Sequence, residues 1–66
     1  MDAKKIGKRI RELRGETSAP ELAKAIGSSV SAIFMYESGE RIPRDEVKIK
    51  LARYFEVSIE SLFFAD

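Results

Sequence analysis

The chain has 66 residues, of which 12 are lysine or arginine and 11 are aspartate or glutamate, so its formal net charge is only +1. A chain of this length has room for one small core, and we therefore expect a single domain over residues 1–66. The absence of cysteine and histidine excludes disulfides, thiol catalysis and the commonest metal ligand and general base.

We accordingly expect no metal site, no cofactor and no enzyme, since the sequence also lacks a glycine-rich phosphate loop and paired carboxylates. No apolar run approaches the roughly 20 residues that a membrane span needs, and the first residues lack the apolar region of a signal peptide. We expect a cytoplasmic protein that does not bind membranes.

The first predicted helix runs from about residue 2 to residue 14. Ile6, Ile10 and Leu13 recur at helical spacing and predict a buried stripe. Asp2 lies near the positive end of the helix dipole, which favours a carboxylate there. Gly7 weakens a helix by about 1 kcal/mol relative to alanine, so its presence indicates close packing against another element.

The second predicted helix begins at Ser18, because the sequence Ser-Ala-Pro-Glu over residues 18–21 has the pattern of a capping box. Leu22, Ala23 and Ile26 share one side at helical spacing and form its predicted buried stripe. Gly27 ends the helix, since glycine readily adopts the left-handed conformation found there.

The third predicted helix is capped by Ser28 or Ser29, runs from about Val30 to Ser38 and stops at Gly39. Its two sides differ in chemistry when residues are projected at 100° each. Ala32, Ile33, Tyr36 and Glu37 lie on the inner side. The other side, which we call the outer ridge, is predicted to face away from the domain and consists of Val30, Ser31, Phe34, Met35 and Ser38.

Pro43 interrupts the chain, and a fourth helix is predicted from about Arg44 to Phe55. Its inner stripe contains Val47, Leu51 and Tyr54, together with Phe55. Ser58 caps a last short helix, which is predicted from Ile59 to about Phe64. Leu62 is expected to close the core, leaving Phe63 and Phe64 as a bulky apolar end.

The second and third helices, joined by a short corner that contains glycine, have the arrangement of a helix-turn-helix, whose second helix fits the DNA major groove. From Ile6 to Phe63 the chain resembles the Cro and phage-repressor family of helix-turn-helix domains. Three segments carry the likeness: IGKRIRELR, then SAPELAKAIGSSVSAIFMYESGER, then PxxEVxxxLAxxFxVSIESLF. The resemblance implies a compact all-α domain of five helices that binds double-stranded operator DNA as a homodimer.

The resemblance also implies roles for individual residues. An arginine at position 14 pairs with a glutamate at position 37, which would tie the first helix to the third. Base readout falls on Ser29, Val30, Ser31, Phe34 and Met35. Phosphate contacts fall on Ser18, Ser28, Ser38, Arg41 and Arg44, and the dimer interface on Ile59, Phe63 and Phe64.

This sequence departs from the family pattern in the third helix. Family members commonly read bases with Gln, Arg, Asn or Lys, and none of these stands on the outer ridge. Readout would rest on a hydrogen bond from Ser31 and on apolar contacts with thymine methyl groups, which discriminate less sharply than bidentate pairs. We expect phosphate contacts and DNA shape to supply more of the affinity.

A sequence-specific transcriptional regulator, most simply a repressor on a palindromic operator, is therefore the first hypothesis. The second is a protein-interaction module, antitoxin-like or an antirepressor component, because a cluster of exposed apolar side chains such as Val30, Phe34 and Met35 usually marks an interface. A protein antagonist of a transcriptional regulator would cover the same surface. The two hypotheses predict opposite results in a DNA-binding assay at low salt.

Overall fold

The computed structural model describes residues 1–65, and this part of the chain folds into five helices. They are α1 (Ala3–Arg14), α2 (Ala19–Ala25), α3 (Val30–Ser38), α4 (Asp45–Phe55) and α5 (Glu60–Phe64), the last of which is π-helical. The compact all-α architecture of five helices predicted from the sequence is confirmed. The bounds of α3 agree with the prediction at both ends.

Side-chain caps explain where most of these helices begin. Asp2 accepts hydrogen bonds from the backbone amides of Lys4 and Lys5 at 3.0 and 3.1 Å, so α1 starts one residue later than predicted. Ser58 caps the last segment by accepting from the amide of Ser61 at 3.0 Å. In contrast, α4 begins after Arg44 with no side-chain cap, which leaves the amides of its first turn without side-chain partners among the described residues.

The core lies where α1, α2 and α3 meet, and α4 and α5 cover it. Its largest fully buried side chains come from all five helices and their connections: Ile6, Ile10, Leu22, Ile26, Ile33, Pro43, Leu51, Leu62 and Phe63. Two residues of the predicted stripes are outside it. Leu13 is 40% exposed and lies beside an open cleft that includes Val57. Tyr54 is 41% exposed, and the fully buried residues of α4 are Leu51 and Ala52.

The backbones of α1 and α3 approach each other closely at Gly7. A β-carbon added at Gly7 would stand 2.4 Å from the carbonyl oxygens of both Tyr36 and Glu37. That distance is far below a van der Waals contact, so only glycine permits this crossing. Gly7 therefore fixes the separation of α1 from the helix that carries the outer ridge.

The position of Phe63 corrects the prediction that it forms an exposed dimer contact. Phe63 is only 1% exposed and lies with Leu62 in the domain's own core, whereas Phe64 is 58% exposed. Leu62 and Phe63 are consecutive in the π-helical segment, and both turn inward. The guanidinium of Arg9 holds this segment by donating to the carbonyl oxygens of Leu62 and Ala65 at 3.1 and 2.6 Å.

Candidate nucleic-acid interface

The corner between α2 and α3 is built from one glycine and two serines. Gly27 has a φ of +65°, which is the left-handed conformation. The amide of Ser28 donates to the carbonyl oxygen of Ala23 at 2.8 Å and closes the end of α2. Ser29, rather than Ser28, caps α3 by accepting from the amide of Ala32 at 3.1 Å. The corner therefore sets both the start and the direction of α3.

The outer ridge faces away from the domain, although not all of its residues are equally exposed. Ser31 and Ser38 are exposed, and Phe34 is 53% exposed. Val30 and Met35 are half-buried, and Val30 packs partly against the core. Phe34 is thus the most prominent apolar side chain on α3, with the Ser31 hydroxyl beside it.

An ion pair links α1 to the end of α3, as the sequence analysis expected. The Nε of Arg14 lies 2.6 Å from Oε2 of Glu37, and its Nη2 donates to Oε1 at 3.1 Å. A third hydrogen bond runs from Nη1 to the carbonyl oxygen of Thr17 at 3.0 Å. Each of the paired side chains is about nine-tenths buried, so this planar, two-bond pairing restricts the rotation of α3 against α1.

The same contact changes the acidity of the arginine. The hydrogen bonds from the Arg14 guanidinium to the Glu37 carboxylate raise the pKa of Arg14 above its ordinary value, and burial opposes that shift without cancelling it. A hydrogen-bonded partner of opposite charge favours the charged form in this way. Arg14 therefore keeps its charge throughout the working pH range. Its role is to orient α3, since the guanidinium is engaged on all three sides within the domain.

Two of the three serines predicted to contact phosphate already have intramolecular hydrogen bonds from their hydroxyl groups, and the third is partly covered. The Ser18 hydroxyl oxygen accepts from the amide of Glu21 at 3.2 Å and caps α2. The Ser38 hydroxyl donates to the carbonyl oxygen of Met35 at 3.2 Å. Ser28 is half-buried at the corner. A hydroxyl group has both a donor and two acceptor sites, so each serine retains some capacity for a further hydrogen bond.

Arg41 and Arg44 are exposed and form no ion pair among residues 1–65. The backbone amide of Arg41 donates to the carbonyl oxygen of Met35 at 3.3 Å, which holds this residue at the end of α3. Buried Pro43 fixes the chain between the two arginines. Both side chains are therefore available to bind an anion. The fold fixes the backbone positions from which they extend.

A polar groove lies between α3 and the start of α4. We call it the α3–α4 groove; it has a volume of about 430 Å³, and its lining includes Ser28, Ser29, Tyr36, Arg41, Arg44 and Val47. The helical spacing of Tyr36 predicts a core position for it and no further role. Tyrosine has an apolar ring and a polar tip, and that dual character was the only signal for a second role.

An apolar surface is formed by Ile49 on α4 together with Ile59 and Phe64. Ile49 is exposed and Ile59 half-buried. The Nζ of Lys48 stands 5.8 Å from the ring centroid of Phe64 and equally far from that of Phe63. Both separations are within the range of a cation–π contact. Of the three predicted dimer residues, only Ile59 and Phe64 are therefore accessible.

Every helix described is too short or too polar to cross a lipid bilayer. Within residues 1–65, no group of three or more aspartate or glutamate side chains is placed to hold a metal ion.

The comparison with protein families agrees with this geometry. A helix-turn-helix family model matches residues 8–62, which is most of the chain. The chain belongs to the Cro and phage-repressor type of helix-turn-helix family. Membership of this helix-turn-helix family makes the chain a DNA-binding transcription regulator by class.

Two solved structures of helix-turn-helix regulators show how close the likeness is. One is the P22 c2 repressor in complex with a synthetic operator, which is 30% identical, with a TM-score of 0.87 over 92% of this chain and 96% of that one. The other is the restriction-modification controller protein C.AhdI from Aeromonas hydrophila, which is 33% identical, with a TM-score of 0.84 over 94% of this chain and 97% of that one. No curated protein matches the sequence.

Proposed function

We propose that this protein is a transcriptional repressor that binds a palindromic operator as a homodimer, with the outer ridge of α3 in the major groove. The observation that carries the proposal is the direction of the ridge. Phe34 and Ser31 project from a helix whose opposite side is buried, and the Arg14–Glu37 pair and the Gly7 crossing hold that helix in place. A rigidly held helix with a free side suits insertion into DNA.

Direct readout in this proposal depends on few polar groups. The Ser31 hydroxyl can donate to or accept from a base edge, and Phe34 and the exposed part of Val30 can contact thymine methyl groups. Half-buried Met35 supplies a secondary contact, whereas Ser29, whose oxygen caps α3, lines the α3–α4 groove and is left out of base readout in this proposal. Since no bidentate base contact is available on the ridge, we expect modest discrimination between operators.

Phosphate contacts would then provide much of the binding energy. Arg41 and Arg44 follow α3 directly, and the serines at the helix starts can add hydrogen bonds to the backbone. In support, the similar P22 c2 structure is a repressor bound to operator DNA. Replacing Arg41 or Arg44 by alanine should weaken binding to all sequences alike and lower the salt slope by about 1 for each arginine.

The dimer in this proposal uses the apolar surface around Phe64. Ile49, Ile59 and Phe64 lie together and are accessible, whereas Phe63 stabilises the protomer itself. A twofold pair would set the two α3 helices about 34 Å apart, one helical turn of DNA. Sedimentation should detect dimers at tens of micromolar, and Phe64→Ser should shift the population to monomers; a monomeric wild type would remove the dimer from the proposal.

A second candidate is a protein-interaction module. Phe34, at 53% exposed, is the specific observation that favours it, because exposed apolar clusters mark interfaces. Gel shifts on random-sequence duplexes over a salt series separate the two candidates. The repressor proposal predicts retained duplexes with an inverted repeat and a log affinity that falls linearly with log salt. Absence of binding even at low salt would reject the repressor and leave the protein partner as the function.

A further inference from the structure

The α3–α4 groove contains a polar group that the proposed function does not use. Tyr36 is only 5% exposed, yet its hydroxyl has no hydrogen-bond partner among residues 1–65. No fully buried side-chain oxygen in this part of the chain lacks a partner, so the Tyr36 hydroxyl must retain contact with solvent. Tyr36 lines the α3–α4 groove, which assigns the accessible part of its side chain to that groove.

The charged side chains that line the groove are both positive. Arg41 and Arg44 line the groove, and no carboxylate is among the described residues that do so. A third cation is close, since the Nζ of Lys50 lies 3.8 Å from where a β-carbon on Gly27 would stand. Lys50 forms no ion pair within residues 1–65. A concave site with unpaired cations attracts anions more strongly than a flat surface does.

The start of α4 adds donors to the same place. Arg44 is the residue before α4, which has no side-chain cap, and Val47 of its first turn lines the groove. Uncapped amides at the start of an eleven-residue helix carry partial positive charge toward a bound anion. The two carboxylates of this turn are directed elsewhere or exposed: Asp45 lies 3.5 Å from Lys48, and Glu46 is exposed.

We propose that the α3–α4 groove is a phosphate-binding site in which the Tyr36 hydroxyl donates a hydrogen bond to a phosphate oxygen held by Arg41 and Arg44. The groove volume of about 430 Å³ is ample for one phosphate group. The phosphate belongs either to the DNA backbone or to a free phosphoester. If the phosphate belongs to the DNA backbone, the inference rests on the proposed function. If it belongs to a free phosphoester, the groove is an additional site.

The position of the groove makes that distinction measurable. At 100° per residue, Ser29, Ala32 and Tyr36 lie on the side of α3 opposite to Phe34. A backbone phosphate reaches the groove only if a DNA strand passes over the corner and the start of α4. A free phosphoester needs no duplex on the outer ridge.

The test uses inorganic phosphate as the probe, with the full chain labelled with ¹⁵N, and compares wild type with Tyr36→Phe and Tyr54→Phe. Tyr36→Phe keeps the buried ring and removes only the hydroxyl, while Tyr54 lies on α4 outside the groove and serves as the matched control. We expect saturable shifts at the amides of Ser28, Tyr36 and Val47, affinity weakened about tenfold in Tyr36→Phe and no change in Tyr54→Phe. Equal phosphate affinity in all three proteins would overturn the proposal.

A DNA-binding measurement on the same three proteins identifies the source. Weaker binding of Tyr36→Phe to every duplex, with phosphate as a competitor, assigns the site to the DNA backbone. Unchanged DNA affinity with weakened phosphate binding assigns it to a free phosphoester. If wild type bound phosphate as described but no duplex, the repressor proposal would fail while the phosphate site stood. Thermal unfolding of Tyr36→Phe checks that the domain remains folded.

Discussion

The two sides of α3 differ in how the surrounding structure constrains them. On the inner side, Gly7 and the Arg14–Glu37 pair leave almost no freedom, since a single added methyl group would collide with backbone. On the outer ridge, Phe34 and Ser31 touch little of their own domain. The difference shows that the packing of the fold orients this helix, while its exposed residues make few contacts within the domain.

The largest expected effect comes from the inner side. Gly7→Ala should destabilise the domain by about 3 kcal/mol, because the β-carbon meets two carbonyl oxygens that belong to a helix backbone and cannot move aside. Urea unfolding followed by circular dichroism measures the change. Lys8→Ala, on the exposed side of the same helix, is the control and should stay within about 0.5 kcal/mol of wild type. A Gly7→Ala protein of wild-type stability would show that α1 and α3 can separate freely.

The ion pair should have the next largest effect. Glu37→Gln should cost about 2 kcal/mol, since a neutral amide replaces a carboxylate that receives two hydrogen bonds from nearly buried Arg14. The double change Arg14→Leu with Glu37→Leu should recover part of this loss, because no charge is then left unpaired. Denaturant unfolding of wild type, Glu37→Gln and the double variant measures these differences in stability. A double variant less stable than Glu37→Gln would contradict this assignment.

A smaller effect concerns the start of α1 and depends on pH. The pKa of Asp2 is lowered from its ordinary value of 3.8, first by the hydrogen bond from the amide of Lys5. A carboxyl with a lower pKa in the folded state adds stability that is present above its ordinary pKa and is lost as the pH falls through the folded value. Asp2→Ala should remove that pH dependence and fray the first turn. Protection of the Lys4 and Lys5 amides relative to their intrinsic exchange rates between pH 2 and 6 measures it, and an equal pH dependence of protection in wild type and Asp2→Ala would contradict the assignment.

The smallest effect on stability is expected on the outer ridge, where the Phe34 ring is 53% exposed. Phe34→Ser should leave the free energy of unfolding within about 0.5 kcal/mol of wild type, as surface substitutions usually do, while DNA binding should weaken. Its neighbour Ile33 is fully buried and provides the contrast. Ile33→Ala should cost about 3 kcal/mol. Comparable losses of stability from both changes would show that the ridge belongs to the core.

The sequence was sufficient for the helices that have strong local signals. Capping serines and terminal glycines define α2 and α3, and Arg14 with Glu37 is brought together as the family likeness implied. It was insufficient at the C-terminal segment, where Phe63 lies in the core. Helical spacing does not decide whether one or both of the adjacent Leu62 and Phe63 turn inward, and the hydrogen bonds from Arg9 to the carbonyl oxygens of Leu62 and Ala65 are seen only in the folded structure.

The groove beside α3 could not be foreseen for a related reason. Tyr36 occupies a core position by its spacing, and only the packed structure shows that it also lines a cavity between two helices. Similarly, the absence of a side-chain cap on α4 becomes informative only once Arg41 and Lys50 are seen nearby. Local sequence rules describe single elements, whereas this site is formed by the space between elements.

We expect the outer ridge of α3 to be the surface that contacts DNA. To test this, a duplex selected from a random-sequence pool is added to ¹⁵N- and ¹³C-labelled protein, and the signals that change are mapped. The largest changes are expected at Ser31, Phe34 and Met35, with smaller ones at Arg41 and Arg44. Changes confined to the surface around Ile49 and Phe64, with the signals of Ser31 and Phe34 unmoved, would contradict it.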